Sequence, residues 1–377
     1  MRLVKTCILL IVLLIILTGC WDERQISEVN YITTLGIDYQ EDNYIIYVQM
    51  LDFSNVAKQE SGKTSERTPL YIGKATGKTI NDAVNNLYRT SQQVVNWAHI
   101  GAIIYSDAIL EKGVTDAEQS LRKNGQFRYT PWMFGTKESV EEIMSLSGFY
   151  QLPPVYTILY KPLDMFNEYS YIAPLRMHKF VSIYKEPGGT AILPSISIND
   201  KSWKESKEDI KPKQTLEING VFPVNDGKSK EWLSFKEVPG LRWTQEDTNN
   251  TTIDILTEDN VKKGSVRILE PTAKFIIKRG NKNFQFNIQL KASGSVTDLE
   301  EQLPMKEIEN LVRQQMKKEI RETYEIGVEK GVDLYNIKNK LFHDRVKPDQ
   351  LQNYSLTKEK LNRITVDFHL ETEGVYE

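Results

Sequence analysis

The chain has 377 residues, which at about 150 residues per domain leaves room for two or three domains. Charged residues make up 26%, hydrophobic residues 40% and aromatics 10%, proportions that argue against wholesale disorder. The formal net charge of −3 lacks the basic footprint of a general nucleic-acid binder, and two cysteines with four histidines speak against a disulfide scaffold or a multi-ligand zinc protein.

Residues 1–20 read MRLVKTCILLIVLLIILTGC. Arg2 and Lys5 precede an uninterrupted apolar run over 7–17, which at 1.5 Å per residue spans about half of a ~30 Å hydrocarbon core. Such a run fits the core of an export signal better than a permanent membrane span. It ends in Leu17-Thr18-Gly19-Cys20, which resembles the lipobox of bacterial lipoproteins. The small side chains of Thr18 and Gly19 leave the backbone open to a signal peptidase. The Cys20 thiol can form the thioether to diacylglycerol, and an N-acyl chain would complete the anchor. Cleavage before Cys20 removes Cys7, so the exported chain keeps no free thiol. An ordinary signal peptide with a chance cysteine is the alternative. No later apolar stretch approaches 18 residues, so nothing downstream is expected to span a bilayer as a helix.

Residues 28–53 alternate as two strands around a turn at 40–43, with Tyr44, Ile46, Val48 and Met50 on one face of the second. Residues 54–68 are polar and read as an exposed loop. Thr79 and Asp82 form a capping-box pattern ahead of a helix whose apolar face carries Ile80, Ala83, Val84, Leu87, Tyr88 and Val95. A buried strand over 100–105, a helix over 115–123, a strand over 129–135 and a helix over 138–146 complete a mixed unit. The character changes at Gln151-Leu152-Pro153-Pro154. From there to about 243 the chain reads as strand-like, with one short helical piece over 162–169, an exposed loop over 199–213 and a hairpin turned at Asn225-Asp226-Gly227. Strands over 266–278 and 284–291 follow. A long helix then has Ile308, Leu311, Val312, Met316, Ile320 and Tyr324 close to one stripe. A shorter helix is expected over 334–342, and a last strand with Ile364, Val366, Phe368 and Leu370 inward. The expected fold is α+β, three mixed α/β domains with largely antiparallel sheets. The divisions are a signal peptide 1–19, an N-terminal domain 20–150, a strand-rich middle domain 151–255 and a C-terminal domain 256–377.

Gly73-Lys74-Ala75-Thr76-Gly77-Lys78-Thr79 is one residue too short between its glycines for a phosphate-binding loop, and Thr79 is better used as a cap. His99, His178, His343 and His369 have no local metal-ligand spacing. Neighbouring carboxylates such as Glu141-Glu142 do not face each other on a helix, and no GxSxG elbow is present. Lys262-Lys263 and Lys317-Lys318 are too small to read as polybasic lipid motifs. Catalysis and metal binding are therefore not expected. The remaining charges read as solvated surface.

Trp21-Asp22-Glu23-Arg24, directly after the lipobox, resembles the start of the Ger(x)C family, the lipoprotein C subunits of spore germinant receptors. Four further places agree in order: Leu35-Gly36-Ile37-Asp38; Ala75-Thr76-Gly77-Lys78-Thr79 with His99-Ile100-Gly101; Gly220-Val221-Phe222 with Lys228, Glu231, Trp232 and Leu233; and Gly331-Val332-Asp333-Leu334. The resemblance implies a three-domain mixed α/β fold on the outer face of the spore inner membrane. It also implies two integral-membrane partners, the receptor's A and B subunits, and a response to nutrients that starts germination. Cys20 is then the lipid attachment site, with Trp21, Asp22 and Arg24 the candidates to meet headgroups or partner loops. Gly36, Gly331 and Asp333 read as turn or helix-end positions rather than ligands. An unrelated lipid-anchored solute-binding protein or cell-wall hydrolase is the alternative.

Overall fold

The computed structural model describes residues 5–6, 29–51, 69–206, 210–229, 231–257, 259, 261–280, 284–347, 350–351 and 353–371. The chain runs β1 (Val29–Gln40), β2 (Asn43–Leu51), β3 (Leu70–Gly77), α1 (Ile80–Tyr88), β4 (Val94–Asn96), β5 (Ala102–Ser106), α2 (Asp107–Lys112), α3 (Thr115–Lys123), β6 (Trp132–Thr136) and α4 (Val140–Ser145). It continues with α5 (Pro162–Glu168), β7 (Leu175–Arg176), α6 (Met177–Lys185), β8 (Thr190–Asn199), β9 (Lys204–Ser206), β10 (Ile210–Pro212), β11 (Thr215–Asn225), β12 (Leu233–Ser234) and α7 (Leu241–Thr244). The last segment supplies β13 (Asn250–Leu256), β14 (Lys262–Arg279), β15 (Phe284–Leu299), α8 (Met305–Glu329), α9 (Ile337–His343) and β16 (Leu361–Leu370).

Ten of these strands form one mixed sheet in the order β12-β11-β8-β6-β5-β1-β2-β3, with β4 against β1 and β7 against β6. Alternation along the strands loads both faces. Leu35, Ile37, Ile46, Val48, Ile103 and Tyr105 pack beneath α1, α2, α3 and α6. Ile45, Tyr47, Ala102, Ile104 and Phe134 face α4. The register of β1 shifts between Ile32 and Thr34, and this bulge lets Ile32 and Leu35 share a face despite their odd spacing. Strands from before and after residue 150 hydrogen-bond in this sheet, so it runs across that position. The second sheet, β13-β14-β15-β16, is antiparallel except for β15 and β16. Helix α8 lies across it, with Ile308, Val312, Met316, Ile320 and Tyr324 buried against Ile268, Ile288, Val366 and Phe368. The same core includes Val221 and Leu233 of the large sheet, so the two sheets share buried apolar surface. Most strand pairings are antiparallel, as expected for the α+β class.

Four local expectations differ from the structure. Val95, expected on the face of α1, lies in β4 beside Asn30, because α1 ends at Tyr88 and strand pairing with β1 takes the segment. Residues 177–185 form helix α6 rather than a strand. Phe180, Val181, Ile183 and Tyr184 have strand-like composition, but Met177, Phe180 and Tyr184 at helical spacing bury onto the sheet, and tertiary packing overrides propensity. Within the expected loop 199–213, β9 and β10 pair as a short antiparallel ribbon, fully exposed and without a core. Strands β14 and β15 are longer than expected because register shifts carry the ladder through Gly264 and Gly294. The capping box is present: Asp82 N–H donates to Thr79 Oγ1 and Thr79 N–H to Asp82 Oδ2, each at 3.1 Å. The segment likened to a phosphate loop lies mostly in β3, extended along β2. The expected loop 54–68 lies outside the described residues.

At the junction of the two sheets, Arg242 and Glu319 form a buried pair, their side chains 7% and 8% exposed. Arg242 donates twice to the carboxylate at 2.8 and 2.9 Å, and to Thr252 O at 2.9 Å. Trp243 Nε1 and Gln315 Nε2 donate to the same carboxylate, at 2.7 and 3.2 Å. Its guanidinium lies 5.0 Å from the Tyr171 ring centre and 4.5 Å from that of Trp243. Removing one partner strands a buried charge, so Glu319→Gln or Arg242→Met should each lower unfolding free energy by about 3–5 kcal/mol, with much of the loss recovered in an Arg242→Met/Glu319→Leu double variant. Urea unfolding of the four proteins checks this.

Glu309 of α8 holds the last strand: it accepts from Leu370 N–H at 3.1 Å and from Arg313 at 2.8 Å. The Leu370 N–H first, and then Arg313, hold its carboxyl below the usual glutamate range. Its folded pKa therefore lies below the unfolded value of about 4.3, so its contribution is present above that value and lost as pH falls through the folded pKa. Wild type should exceed Glu309→Gln in urea midpoint at neutral pH, and the gap should close as pH falls below the ordinary glutamate range and through the lowered folded pKa.

Candidate functional site

A cleft of about 530 Å³ opens between the large sheet and the C-terminal unit, within the size range of small-ligand pockets. One wall is the turn after β11, where Asp226 and Gly227 both have positive φ, 49° and 73°, as a type I′ turn requires. Asn225 and Lys228 exchange backbone hydrogen bonds across it at 2.8 and 3.0 Å. The other wall is the end of α8 and the start of α9. Gly331, at φ 69°, ends α8 in a Schellman motif: Val332 N–H reaches Gly327 O at 2.7 Å and Gly331 N–H reaches Val328 O at 3.2 Å.

Asp333 is buried, and its carboxylate accepts the backbone N–H groups of Ile337 at 2.9 Å and Lys338 at 2.7 Å, capping α9. Burial raises its pKa, against the pull of those two N–H groups. Asn336, at φ 54°, clamps the C-terminal unit to the large sheet. Its Oδ1 accepts from Thr190 N–H at 2.6 Å and its Nδ2 donates to Thr190 O at 2.8 Å. Nearby, Glu186 accepts from Asn339 at 2.9 Å and lies 3.1 Å from His343 Nε2. The Asn339 amide leads in holding its pKa down.

The cleft therefore brings together two of the motifs noted in the sequence, Lys228 and Glu231 from one and Gly331 and Asp333 from the other. Gly331 and Asp333 serve helix ends, as expected. Gly36 does not serve a turn: it lies inside β1 beneath α4, where an added Cβ would fall 2.2 Å from Val140 Cγ1. Asp38 accepts from Tyr39 N–H and Gln40 Nε2, each at 2.7 Å, and from the Ser106 hydroxyl, which also caps α2. Lys330 and Lys338 also line the cleft, Lys330 lying 3.4 Å from Glu231. Neither lysine stood out in the sequence, because only the fold of α8 and α9 brings them beside Lys228.

Of the three cleft carboxylates, Asp333 is committed to a cap and Glu231 to an ion pair, while Asp226 is exposed in the turn, and with Lys228, Lys330 and Lys338 they give the cleft a mixed charge. Among the described residues, no cluster of three His, Cys, Asp or Glu side chains is placed to hold a metal ion. Leu17, Thr18, Gly19, Cys20, Trp21, Asp22 and Arg24 lie outside the described residues. No helix among the described residues is long and apolar enough to cross a membrane.

The fold and motif order define a class, two sheet-based units joined through a shared core with paired helix-end motifs at the junction. Two family models match in tandem: the spore germination protein N-terminal domain over residues 22–198, and the spore germination B3/GerAC like C-terminal domain over residues 219–374. The chain belongs to this spore germination family, the one its motifs resemble. It is 23% identical to spore germination protein KC of Bacillus subtilis (strain 168), over 98% of this chain and 95% of that one. It is 19% identical to spore germination protein B3 of the same organism, over 76% and 72% of the two chains. Its structure resembles the crystal structure of the GerBC protein with a TM-score of 0.53 at 11% identity, covering 90% of this chain and 97% of that one, which shows a shared fold.

An alanine at Gly331 must adopt the left-handed conformation, at a cost of about 1–2 kcal/mol. Gly331→Ala should lose that much stability in urea unfolding. Gly125→Ala, at a position with open space and no such backbone constraint, should lose far less.

Proposed function

We propose that this protein is the lipid-anchored, non-catalytic C subunit of a nutrient germinant receptor. Diacylglycerol and an N-acyl chain on Cys20 hold it to the outer face of the spore inner membrane. Two acyl chains give stable anchoring at about 0.8 kcal/mol per buried methylene. The anchor raises its local concentration beside the integral-membrane A and B subunits, with which it docks. The folded units act there by contact, transmitting or gating the nutrient response without covalent chemistry. The observation that carries this reading is the tandem family match over residues 22–198 and 219–374, placed directly behind the Leu17-Thr18-Gly19-Cys20 motif.

The test is a tagged copy recovered from crosslinked, detergent-solubilised inner membranes of dormant spores, analysed by mass spectrometry for wild type and Cys20→Ala. Two integral-membrane subunits should accompany wild type, and their yield should fall strongly with the alanine. Wild type recovered alone, or with wall enzymes, overturns the receptor reading.

A further inference from the structure

Three stretches of the chain contain no acidic residue: 83–106, 119–137 and 169–185. They are far apart in sequence, but the topology brings parts of all three to one end of the large sheet. Val29, the first residue of β1, pairs in parallel with Val94, and β5 and β6 begin beside each other at Ala102 and Trp132. Antiparallel pairing sets Arg176 opposite Trp132. The loops interlock there: Trp97 N–H donates to Gln126 Oε1, Trp97 Nε1 to Tyr88 OH, and His178 N–H to Tyr129 O.

Among the described residues, exposed basic side chains outnumber acidic ones at this end. Arg89, Arg122, Lys123, Arg128 and Lys179 are exposed, and Arg176 is partly so. Of these, Lys179 pairs with Asp247 across 3.4 Å, while Arg89, Arg122, Lys123 and Arg128 have no carboxylate partner among the described residues. Glu118, the nearby acid, is buried and occupied by Lys185 at 2.6 Å and Tyr129 at 2.8 Å. Tyr71, Tyr88 and Val94 are exposed around the same end, 61%, 43% and 47%. Amphipathic aromatics of this kind suit a headgroup layer.

The tether leads to this end. From Cys20 to Val29 the chain can reach at most about 30 Å, whereas the twelve-residue β1 separates the two ends of the sheet by roughly 36 Å. We infer that the end of the large sheet where β1 begins lies against anionic phospholipid, so that Arg89, Arg122, Lys123 and Arg128 orient the anchored protein on the bilayer. The inference rests on the anchored reading above. It deepens that reading by naming the face that meets the membrane and the headgroup charge it takes. Each cation near such a surface is worth roughly fivefold in association, and the tether supplies the proximity that lets so few suffice.

The test uses the full lipidated protein, reconstituted in phosphatidylcholine vesicles containing about one-third phosphatidylglycerol and a headgroup-bound quencher. A dye is attached to a cysteine introduced at Gln92, beside β4, or at Asp107, beyond the far end of β5. Quenching should be roughly fivefold or more stronger at Gln92→Cys than at Asp107→Cys. The difference should shrink to what the tether alone imposes in vesicles of phosphatidylcholine alone, in molar salt, and with R89E/R122E/K123E/R128E. Thermal unfolding of that variant should fall only modestly because these side chains are exposed, with Arg122 and Lys123 in the last turn of α3. Equal quenching at the two positions, or a difference that the charge reversal leaves undiminished, overturns the inference. So does quenching that arises only after membrane subunits are added, which assigns the surface to an acidic protein partner.

The mass of the amino-terminal peptide reports the anchor separately. If it carries no lipid, the anchored reading fails, and co-sedimentation of the same protein with the two vesicle types still decides whether the basic end binds anionic lipid.

Discussion

The buried Arg242–Glu319 pair is the constraint around which the two halves of the molecule are arranged. Taking two charges out of water is costly, and the cost is offset by close pairing and further hydrogen bonds. These engage both carboxylate oxygens and both terminal guanidinium nitrogens, with Arg242 Nε left buried without a partner among the described residues. Here the partners come from distant parts of the chain: Tyr171 ahead of β7, Trp243 in α7, Thr252 in β13 and Gln315 in α8. A one-residue slip of α8 would rotate Glu319 by about 100° away from its fork. The pair therefore sets the register of the long helix against both sheets, while Met316 and Ile320 on the same helix contribute apolar burial that would tolerate looser placement.

With α8 in register, its carboxyl end falls beside the Asn225–Lys228 turn of the large sheet. The Schellman turn at Gly331, the Asp333 cap and the Asn336 clamp on Thr190 then follow within six residues. The Gly331-Val332-Asp333 segment thus has a structural role at the junction. Its residues satisfy backbone groups that would otherwise be left unpaired at the junction. The cleft between the units is bounded by these helix ends, and its lysines and carboxylates are carried by the same short segments.

The distribution of charge is the second asymmetry. The whole chain is close to neutral, yet among the described residues one end of the large sheet gathers four exposed cations without carboxylate partners, and it is the end at which β1 begins. The proposed contact role would call for a defined face towards the membrane. A tether alone limits distance but leaves orientation free, whereas a tether combined with a charged end limits both.

Residue types and their spacing determined much of this protein without any structure. The alternating strands of 28–53, the Thr79–Asp82 capping box, the stripe of α8 and the Asn-Asp-Gly turn are local, because each depends on neighbours within a few residues. The family resemblance was legible for the same reason. Helix α6 was not, since its aromatic and β-branched residues favour a strand until the sheet surface below them is known. Equally hidden were the Arg242–Glu319 pair, 77 residues apart in sequence, the cleft between α8 and the β11 turn, and the basic end of the sheet. Isolated arginines and lysines carry no pattern along the chain. Only strand order, which sets Val29 beside Val94 and Trp132 beside Arg176, brings their charges into one field.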